Sequence, residues 1–234
     1  MAVIRTNGEP LLTFYKEGGP TGGHFEFENE WQGDDAERIN EPSWQDRYKY
    51  ESNLLTEVIK ENNFKNVLEI GSGPGVLGQI TLEKNPTINY SFIDRIGAKE
   101  VFNKNKYKGT FYVKDLINDF DTSDLKEYDF IVTNDFLEHI YNPSIIIQNS
   151  YKILKEKGMI FVSVPNWRMG HTFVYRGLFD YDNFIYFMYT HGFQASQVWS
   201  SPLKCASHPK LSSEDSMDDI LINSWNIYLC FTKI

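Results

Sequence analysis

Short apolar runs alternate with stretches of helical spacing along most of this chain. The first clear example starts at residues 67–70 (VLEI), a run that suits a strand buried on both faces of a sheet. A glycine-rich turn at residues 71–75 (GSGPG) ends the run. Apolar residues then recur at positions 76, 77, 80 and 82, the spacing of a helix that packs one face on a sheet. The pattern predicts a strand–turn–helix unit.

The same two patterns predict the other elements of the fold. A helix from Ser43 to about Asn62 precedes the unit. Further strands are predicted at residues 88–93, 109–113, 128–134, 159–164, 194–199 and 225–233, and further helices at 96–106, 143–154 and 180–191. This alternation predicts an α/β fold: a seven-stranded, mostly parallel sheet with helices on both faces.

The glycine-rich turn has two possible registers. Gly73, Gly75 and Gly78 satisfy G-x-G-x-x-G, a fingerprint of dinucleotide-binding proteins. Gly71, Gly73 and Gly75, preceded by Glu69, give E-x-G-x-G-x-G instead. The predicted strand ends just before Gly71, which favours the second register. In both, the glycines let backbone N–H groups and a helix N-terminus approach a nucleotide, because a Cβ would collide with it or force a disallowed φ. For this motif alone, a turn without a ligand is the alternative.

An acidic residue follows the next predicted strand. Asp94 lies about twenty residues beyond the glycines, where a carboxylate can accept hydrogen bonds from both hydroxyls of a ribose. A solvated Asp at a strand end is the structural alternative, and the glycine turn favours the binding role. Arg95, the next residue, joins the candidate site.

Composition and charge narrow the possible functions. The 234 residues are 41% hydrophobic and 15% aromatic, enough for one large domain with lid segments. The net charge of −9 argues against a protein that binds nucleic acid mainly by neutralising phosphates. The two cysteines, Cys205 and Cys230, match neither a disulfide framework nor a metal-binding spacing. No apolar run is long enough to span a bilayer, so we expect a cytoplasmic protein.

Two further motifs follow the third and fourth predicted strands. Residues 114–116 read KDL, and residues 130–143 read FIVTNDFLEHIYNP, followed by ILKEKGMIFVSVPN at 153–166. With the glycine turn and Asp94, this ordered set resembles class I S-adenosylmethionine (SAM) methyltransferases. The segment after the fourth strand is similar to that of the ubiquinone-biosynthesis O-methyltransferases and related small-molecule methyltransferases. The resemblance covers about residues 67–166.

The resemblance implies a Rossmann-like class I sheet whose last strand is antiparallel, SAM as cofactor and S-adenosylhomocysteine (SAH) as product. It places Asp115 at the adenine amino group and Leu116 against the adenine ring. The candidate cofactor-binding residues are Glu69, Gly71, Ser72, Gly73, Gly75, Asp94, Arg95, Asp115, Leu116, Asn134 and Phe136.

The segment after the fourth strand provides a candidate catalytic residue. A hydroxyl acceptor requires a general base, and His139 is the leading candidate because imidazole titrates near neutrality. The structural alternative is that Glu138 and His139 only fix the loop. Asp135, Glu138, His139 and His171 could also donate to a metal, but adjacent donors are poorly spaced for one ion, and we predict no metal site.

The methyl acceptor is predicted to be a small molecule that receives the methyl group on an oxygen or a nitrogen. The chain lacks the Asn/Asp/Ser-Pro-Pro-aromatic and Pro-Cys motifs of nucleic-acid methyltransferases, so nucleic acid is an unlikely substrate. We expect residues 1–42 to form an N-terminal strap or lid on a domain of residues 43–234. Insertions at about 167–179 and 200–222 are expected to face the substrate. The alternatives are a non-catalytic SAM binder, another SAM-consuming reaction, and an NAD-dependent oxidoreductase in the Gly73-Gly75-Gly78 register.

Overall fold

The computed structural model describes residues 42–116, 120–165, 176–202 and 224–234. The helices are α1 (Pro42–Glu61), α2 (Val76–Lys84), α3 (Ile96–Lys104), α4 (Pro143–Ile153) and α5 (Tyr181–Thr190), with 3₁₀ turns at Leu137–His139 and Arg176–Phe179. The strands are β1 (Asn66–Ile70), β2 (Asn89–Asp94), β3 (Thr110–Val113), β4 (Tyr128–Asn134), β5 (Leu154–Pro165), β6 (Phe193–Pro202) and β7 (Ser224–Lys233).

The seven strands form one sheet in the order β3-β2-β1-β4-β5-β7-β6. The first five of these strands are parallel to their neighbours, whereas β7 runs antiparallel to both β5 and β6. This arrangement confirms the predicted Rossmann-like, mostly parallel sheet with an antiparallel last strand.

Apolar side chains cover both faces of the sheet, as the unbroken hydrophobic runs predict. Along β1, Leu68 joins the core cluster on one face and Val67 the cluster on the other, because successive strand residues point to opposite sides. Phe130 and Ile131 on β4 divide in the same way. The burial of both faces fixes the register of the central strands. Because these strands are parallel, their carboxyl ends lie along one edge of the sheet.

The fifth strand is longer than its hydrophobic pattern predicts. We expected α4 to run through Leu154 and the strand to begin at Met159, but β5 begins at Leu154, which pairs with Tyr128. The pairing shifts register after Tyr128. Lys157 has a φ of +61°, so the Lys-Gly pair forms an irregularity within the strand. The first residues of β5 are mostly polar, so the hydrophobic pattern did not predict this part of the strand.

The strand order places a crevice at the carboxyl ends of β1 and β4. The chain continues from β1 toward β2 on one side, and from β4 toward β5 on the other, so the connections diverge between these neighbours. Ligands of open α/β sheets bind at such a point. The predicted strap or lid at residues 1–42, apart from Pro42, and most of the two predicted insertions lie outside the described residues. Within the described residues, no helix is long and apolar enough to cross a membrane.

Candidate functional site

The glycine turn follows β1 directly and has three residues in the left-handed region. The φ angles are +70° at Gly71, +52° at Gly73 and +85° at Gly75, which glycine adopts without steric cost. The N–H groups of Gly71 and Ser72 both donate to the Ile93 carbonyl, at 3.0 and 3.1 Å. The N–H of Gly75 donates to the Ser72 carbonyl at 3.0 Å. The turn is therefore tied to the end of β2.

Asp94, the last residue of β2, holds the same turn with its side chain. Its Oδ2 accepts a hydrogen bond from the Gly73 N–H at 2.7 Å, and its Oδ1 accepts one from the Arg95 N–H at 2.7 Å. Burial raises the pKa of Asp94, while the two N–H donors and the charge of Arg95 oppose that rise. The structure thus places the Asp94 carboxylate and the Arg95 backbone beside the turn.

Glu69 lies beneath the turn on the α2 side of the sheet. Its Oε2 accepts a hydrogen bond from the Tyr90 hydroxyl at 3.1 Å, and the carboxylate also accepts one from the Gly78 N–H. Burial raises the pKa of Glu69 to about 8, a rise that these two donors oppose. A Cβ at Gly78 would lie 2.3 Å from the ring of Phe92, so this glycine allows α2 to approach the sheet closely.

Phe136 and Asn134 flank the opposite side of the crevice. A Cβ at Gly71 would lie 2.2 Å from Cγ of Phe136, so the half-buried ring rests directly on the turn. Asn134 is the last residue of β4. At the far side, half-buried Asp115 follows β3, and Leu116 is buried in the apolar core. The candidate cofactor residues other than Glu69 and Leu116 therefore lie near the carboxyl edge of the strands β1 to β4.

The candidate base lies in the short 3₁₀ turn after Phe136. The His139 N–H donates to the Phe136 carbonyl at 3.0 Å. Its ring Nε2 is 3.7 Å from Oε1 of the fully buried Glu138. This position is next to the crevice, and both roles considered for His139 remain predictions. Among the described residues, no group of three or more His, Cys, Asp or Glu side chains has the arrangement of a metal site.

The structure reveals a polar cluster that the sequence analysis missed, which we call the Arg47–Asp135 cluster. Its members are Arg47 and Glu51 of α1, Asn134 and Asp135 at the end of β4, Ser163 of β5, and Asn226 and Tyr228 of β7. Of these side chains, the sequence had indicated only Asn134, as a candidate for cofactor binding, and Asp135, as a possible metal donor. The others meet only after folding, since α1, β5 and β7 are distant in sequence.

Two carboxylates share one guanidinium in this cluster. Arg47 donates from Nε to Glu51 Oε1 at 2.7 Å and from Nη2 to Asp135 Oδ2. Tyr228 Oη donates to Glu51 Oε1 at 3.2 Å. Burial raises the pKa of Glu51, whose side chain has no exposed area, and the charge of Arg47 opposes the rise. The ion pair links α1 to the segment after β4.

Asp135 holds the neighbouring strands in place. Its Oδ1 accepts hydrogen bonds from Ser163 Oγ at 2.7 Å and from Asn226 Nδ2 at 2.6 Å. Its backbone has a φ of +45°, a region that residues with a side chain seldom adopt. Strained backbone at a strand end is frequent at functional sites, because the surrounding structure must maintain it.

Comparisons with known proteins indicate a methyltransferase family. A family model described as "Methyltransferase domain" matches residues 43–223. The ubiquinone biosynthesis O-methyltransferase of Glaesserella parasuis serovar 5 (strain SH0165) is 30% identical over 109 residues, which span 44% of this chain and 46% of that protein. The chain therefore matches less than half of that relative's length.

Solved methyltransferase structures share the fold. A SAM-dependent methyltransferase from Clostridium acetobutylicum ATCC 824 superposes with a TM-score of 0.57 at 12% identity, covering 84% of this chain and 94% of that one. The plantazolicin methyltransferase BpumL in complex with SAH gives 0.61 at 15% identity, with coverages of 85% and 88%. The N-methyltransferase NodS from Bradyrhizobium japonicum WM9, also with SAH, gives 0.58 at 16%, with coverages of 88% and 96%.

Proposed function

The chain belongs to the methyltransferase domain family, with the class I SAM-dependent fold, and on this premise we propose that it transfers a methyl group from SAM to an oxygen or nitrogen of a small molecule. One observation carries the proposal. The turn contains three glycines with a left-handed φ, and the N–H of one of them, Gly73, donates a hydrogen bond to the Asp94 carboxylate. This contact lies at the point where the strand connections diverge.

The residues at this edge fit SAM. The N–H groups of Gly73 and Arg95 hold the carboxylate of Asp94 at the end of β2, and its proposed role is to accept hydrogen bonds from both ribose hydroxyls. Asp115 and Leu116 follow β3 on the adenine side, as the family resemblance implies. Asn134 and Phe136 lie across the crevice, where the methionine end of the cofactor would extend. Glu69 accepts a hydrogen bond from the Gly78 N–H in α2, the helix that follows the turn.

The structure gives less support to a dinucleotide. A pyrophosphate requires backbone N–H groups that are available to donate to it. In this turn, the N–H groups of Gly71, Ser72, Gly73 and Gly75 already donate to protein oxygens. SAM carries no phosphate and does not require those donors. The antiparallel β7 between β5 and β6 also differs from the 3-2-1-4-5-6 order of the dinucleotide-binding fold.

The chemistry is an in-line displacement. When bound, SAM supplies a methyl group on a sulfonium: a lone pair of the acceptor forms the bond to carbon, the carbon–sulfur bond breaks, and its electron pair stays on sulfur to give SAH. The protein must orient the acceptor and exclude water. For a hydroxyl acceptor, we propose that His139 takes the proton, since it lies three residues beyond the Phe136 ring that rests on the turn.

A small-molecule acceptor is supported by the relatives and by the charge of the chain. The curated relative is named for ubiquinone biosynthesis, and BpumL has been solved with desmethylplantazolicin analogues. The net charge of −9 disfavours a nucleic-acid substrate.

The proposal is tested by incubating the full chain with methyl-labelled SAM and a panel of small alcohols, phenols and amines. Asp94→Asn serves as the inactive control. We expect SAH and a labelled product with at least one acceptor class, and neither with the variant. SAM binding without SAH across the panel would indicate a non-catalytic binder, and release of methylthioadenosine would indicate a different reaction of SAM.

A further inference from the structure

A hydrophobic surface lies where α5 meets the start of β6. Among the described residues, five large hydrophobic side chains are exposed, and three of them lie here. Tyr186 and Tyr189 of α5 are 70% and 61% exposed. Ile234 is also exposed, and its N–H donates to the carbonyl of Gly192, the residue before β6. We call Tyr186, Tyr189, Ile234 and residues 193–195 the α5–β6 surface. Exposed hydrophobic side chains gathered in one place indicate an interaction surface.

A groove of about 320 Å³ opens beside the two tyrosines. It is lined by Asp182, Ile185, Tyr186 and Tyr189 of α5 and by residues 193–195 of β6. Its one charged lining residue is Asp182, whose carboxylate accepts hydrogen bonds, whereas the tyrosine hydroxyls can donate them. The same surface therefore presents a groove together with aromatic side chains that can enter such a groove. A contact between two identical surfaces requires this self-complementarity.

The strand β6 forms one edge of the sheet, and its sequence lacks the usual protection against pairing. In the described part of the chain, β6 pairs with β7 alone. None of its ten residues, Phe193–Pro202, is charged. The other edge strand, β3, has only four residues and follows the exposed Lys106 and Lys108. Because short strands and lysines prevent an edge from pairing with another chain, β3 is protected and the uncharged β6 is not.

The β-bulges of β6 limit the open edge to the start of the strand. The register with β7 shifts between Ala195 and Gln197 and again between Ser200 and Pro202. Bulges increase the twist of a strand and turn its edge away from a neighbour. Residues 193–195, which precede the first shift, are the ones that line the groove. The open edge and the groove therefore coincide.

A second copy of this chain fits this surface. Pairing with a strand edge requires an extended backbone, which a small ligand lacks. Antiparallel pairing of two β6 strands about a two-fold axis near Gln194 would keep both copies of α5 on the same face of the joined sheet. The tyrosines of each copy would then lie beside the groove of the other, where their hydroxyls can donate to Asp182 of the second copy. An uncharged strand also meets its own copy without like-charge repulsion.

The area available matches a reversible dimer. A large aromatic side chain buries roughly 150–250 Å², so at their exposures Tyr186 and Tyr189 together supply roughly 200–330 Å². One partner of a standard interface buries about 800 Å². The tyrosines provide a quarter to two fifths of that area, and Ile234 and residues 193–195 add to it. Interfaces at the small end of the range are transient, so the dimer should depend on protein concentration.

We propose that the chain forms a reversible homodimer through the α5–β6 surface, with the two-fold axis near Gln194. The strand β6 is parallel to β5, because both are antiparallel to β7. The first residues of β6 therefore lie at the amino edge of the sheet, opposite the crevice. The inference does not depend on the proposed methyl transfer.

Sedimentation equilibrium of the full chain, from low micromolar concentration to the solubility limit, tests the proposal. Tyr186→Glu and Gln194→Lys each place a charge in the surface. Asn103→Glu is the matched control, because Asn103 is exposed on α3, the helix before the protected edge strand β3. We expect the wild type and the control to dimerise as concentration rises. Each surface variant should raise the dimer dissociation constant tenfold or more, with the circular dichroism spectrum unchanged.

An equimolar mixture of Gln194→Lys and Gln194→Glu tests the position of the axis. Opposite charges would face each other across the axis, so the mixture should dimerise more tightly than either variant alone, and added salt should weaken it. A wild type that stays monomeric at every concentration would overturn the inference. So would a dimer that Tyr186→Glu and Gln194→Lys leave unchanged, or a mixture that dimerises no more tightly than its components.

Discussion

The ring of Phe136 rests on the backbone of Gly71, so closely that a Cβ at position 71 would lie 2.2 Å from Cγ of the ring. This contact joins the segment after β4 to the turn after β1. The two segments that flank the crevice are therefore packed against each other directly. A substitution on one side of the crevice should therefore alter the packing on the other side.

Gly71→Ala should destabilise the protein and weaken SAH binding. The left-handed φ costs about 1–2 kcal/mol for a residue with a Cβ, and the clash with the ring adds about 1–3 kcal/mol. Urea unfolding and titration with SAH measure the two effects. In a Phe136→Ala background, the same substitution should cost only the first amount. An equal cost in both backgrounds would show that the ring does not restrict position 71.

Glu69→Gln should change how stability depends on pH. Burial raises the pKa of Glu69 from 4.5 to about 8 in the folded chain. Between these values the unfolded chain has lost a proton that the folded chain keeps, so rising pH favours unfolding. Wild-type stability should fall by about 1.4 kcal/mol per pH unit from pH 5 to pH 8, relative to the variant. Urea unfolding at pH 5, 6.5 and 8 measures this, and parallel profiles for the two proteins would refute it.

The regular elements were predictable from the sequence, because a strand buried on both faces produces an unbroken apolar run. The ends of β1, β2 and β4 followed from these runs, and so did the placement of Asp94 and Asn134 at the carboxyl edge. The early start of β5 at Leu154 was not predictable, since its first residues are polar. The antiparallel position of β7 came from the family resemblance, not from periodicity.

The Arg47–Asp135 cluster could not be predicted for a different reason. Arg47 and Asp135 are 88 residues apart, and Asn226 lies 91 residues beyond Asp135. Each is a single polar residue, and the hydrophobic pattern of its segment does not indicate which distant residue it will contact. Such contacts depend on strand order and register, which become known only with the fold.

Arg47→Met should be strongly destabilising. It leaves the fully buried carboxylate of Glu51 without the guanidinium that opposes its charge, which costs about 3–5 kcal/mol when one partner of a buried pair is removed. Lys49→Met is the matched control on the same helix, because Lys49 is 62% exposed and its ion pair with Asp46 is at the surface. Denaturant unfolding compares them. Equal effects of the two substitutions would mean that the cluster does not stabilise α1 against the sheet.

His139→Gln should reduce turnover on a hydroxyl acceptor by about 10²–10⁴-fold, the usual contribution of a general base, with SAH affinity unchanged. His191→Gln is the control, because His191 hydrogen-bonds the Phe187 carbonyl at the end of α5. Steady-state kinetics with the best acceptor of the panel measure both variants. Turnover equal to wild type in His139→Gln would exclude this residue as the base and leave the loop-fixing role.

The central claim is that the turn at Gly71–Gly75, held by Asp94, binds SAM. Isothermal titration of the full chain with SAH and with NAD tests it most directly, using wild type and Asp94→Asn. We predict saturable binding of SAH, no binding of NAD, and an SAH dissociation constant at least tenfold higher in the variant, which corresponds to a loss of about 1.4 kcal/mol. Binding of NAD by the wild type, or SAH binding that Asp94→Asn leaves unchanged, would contradict the account.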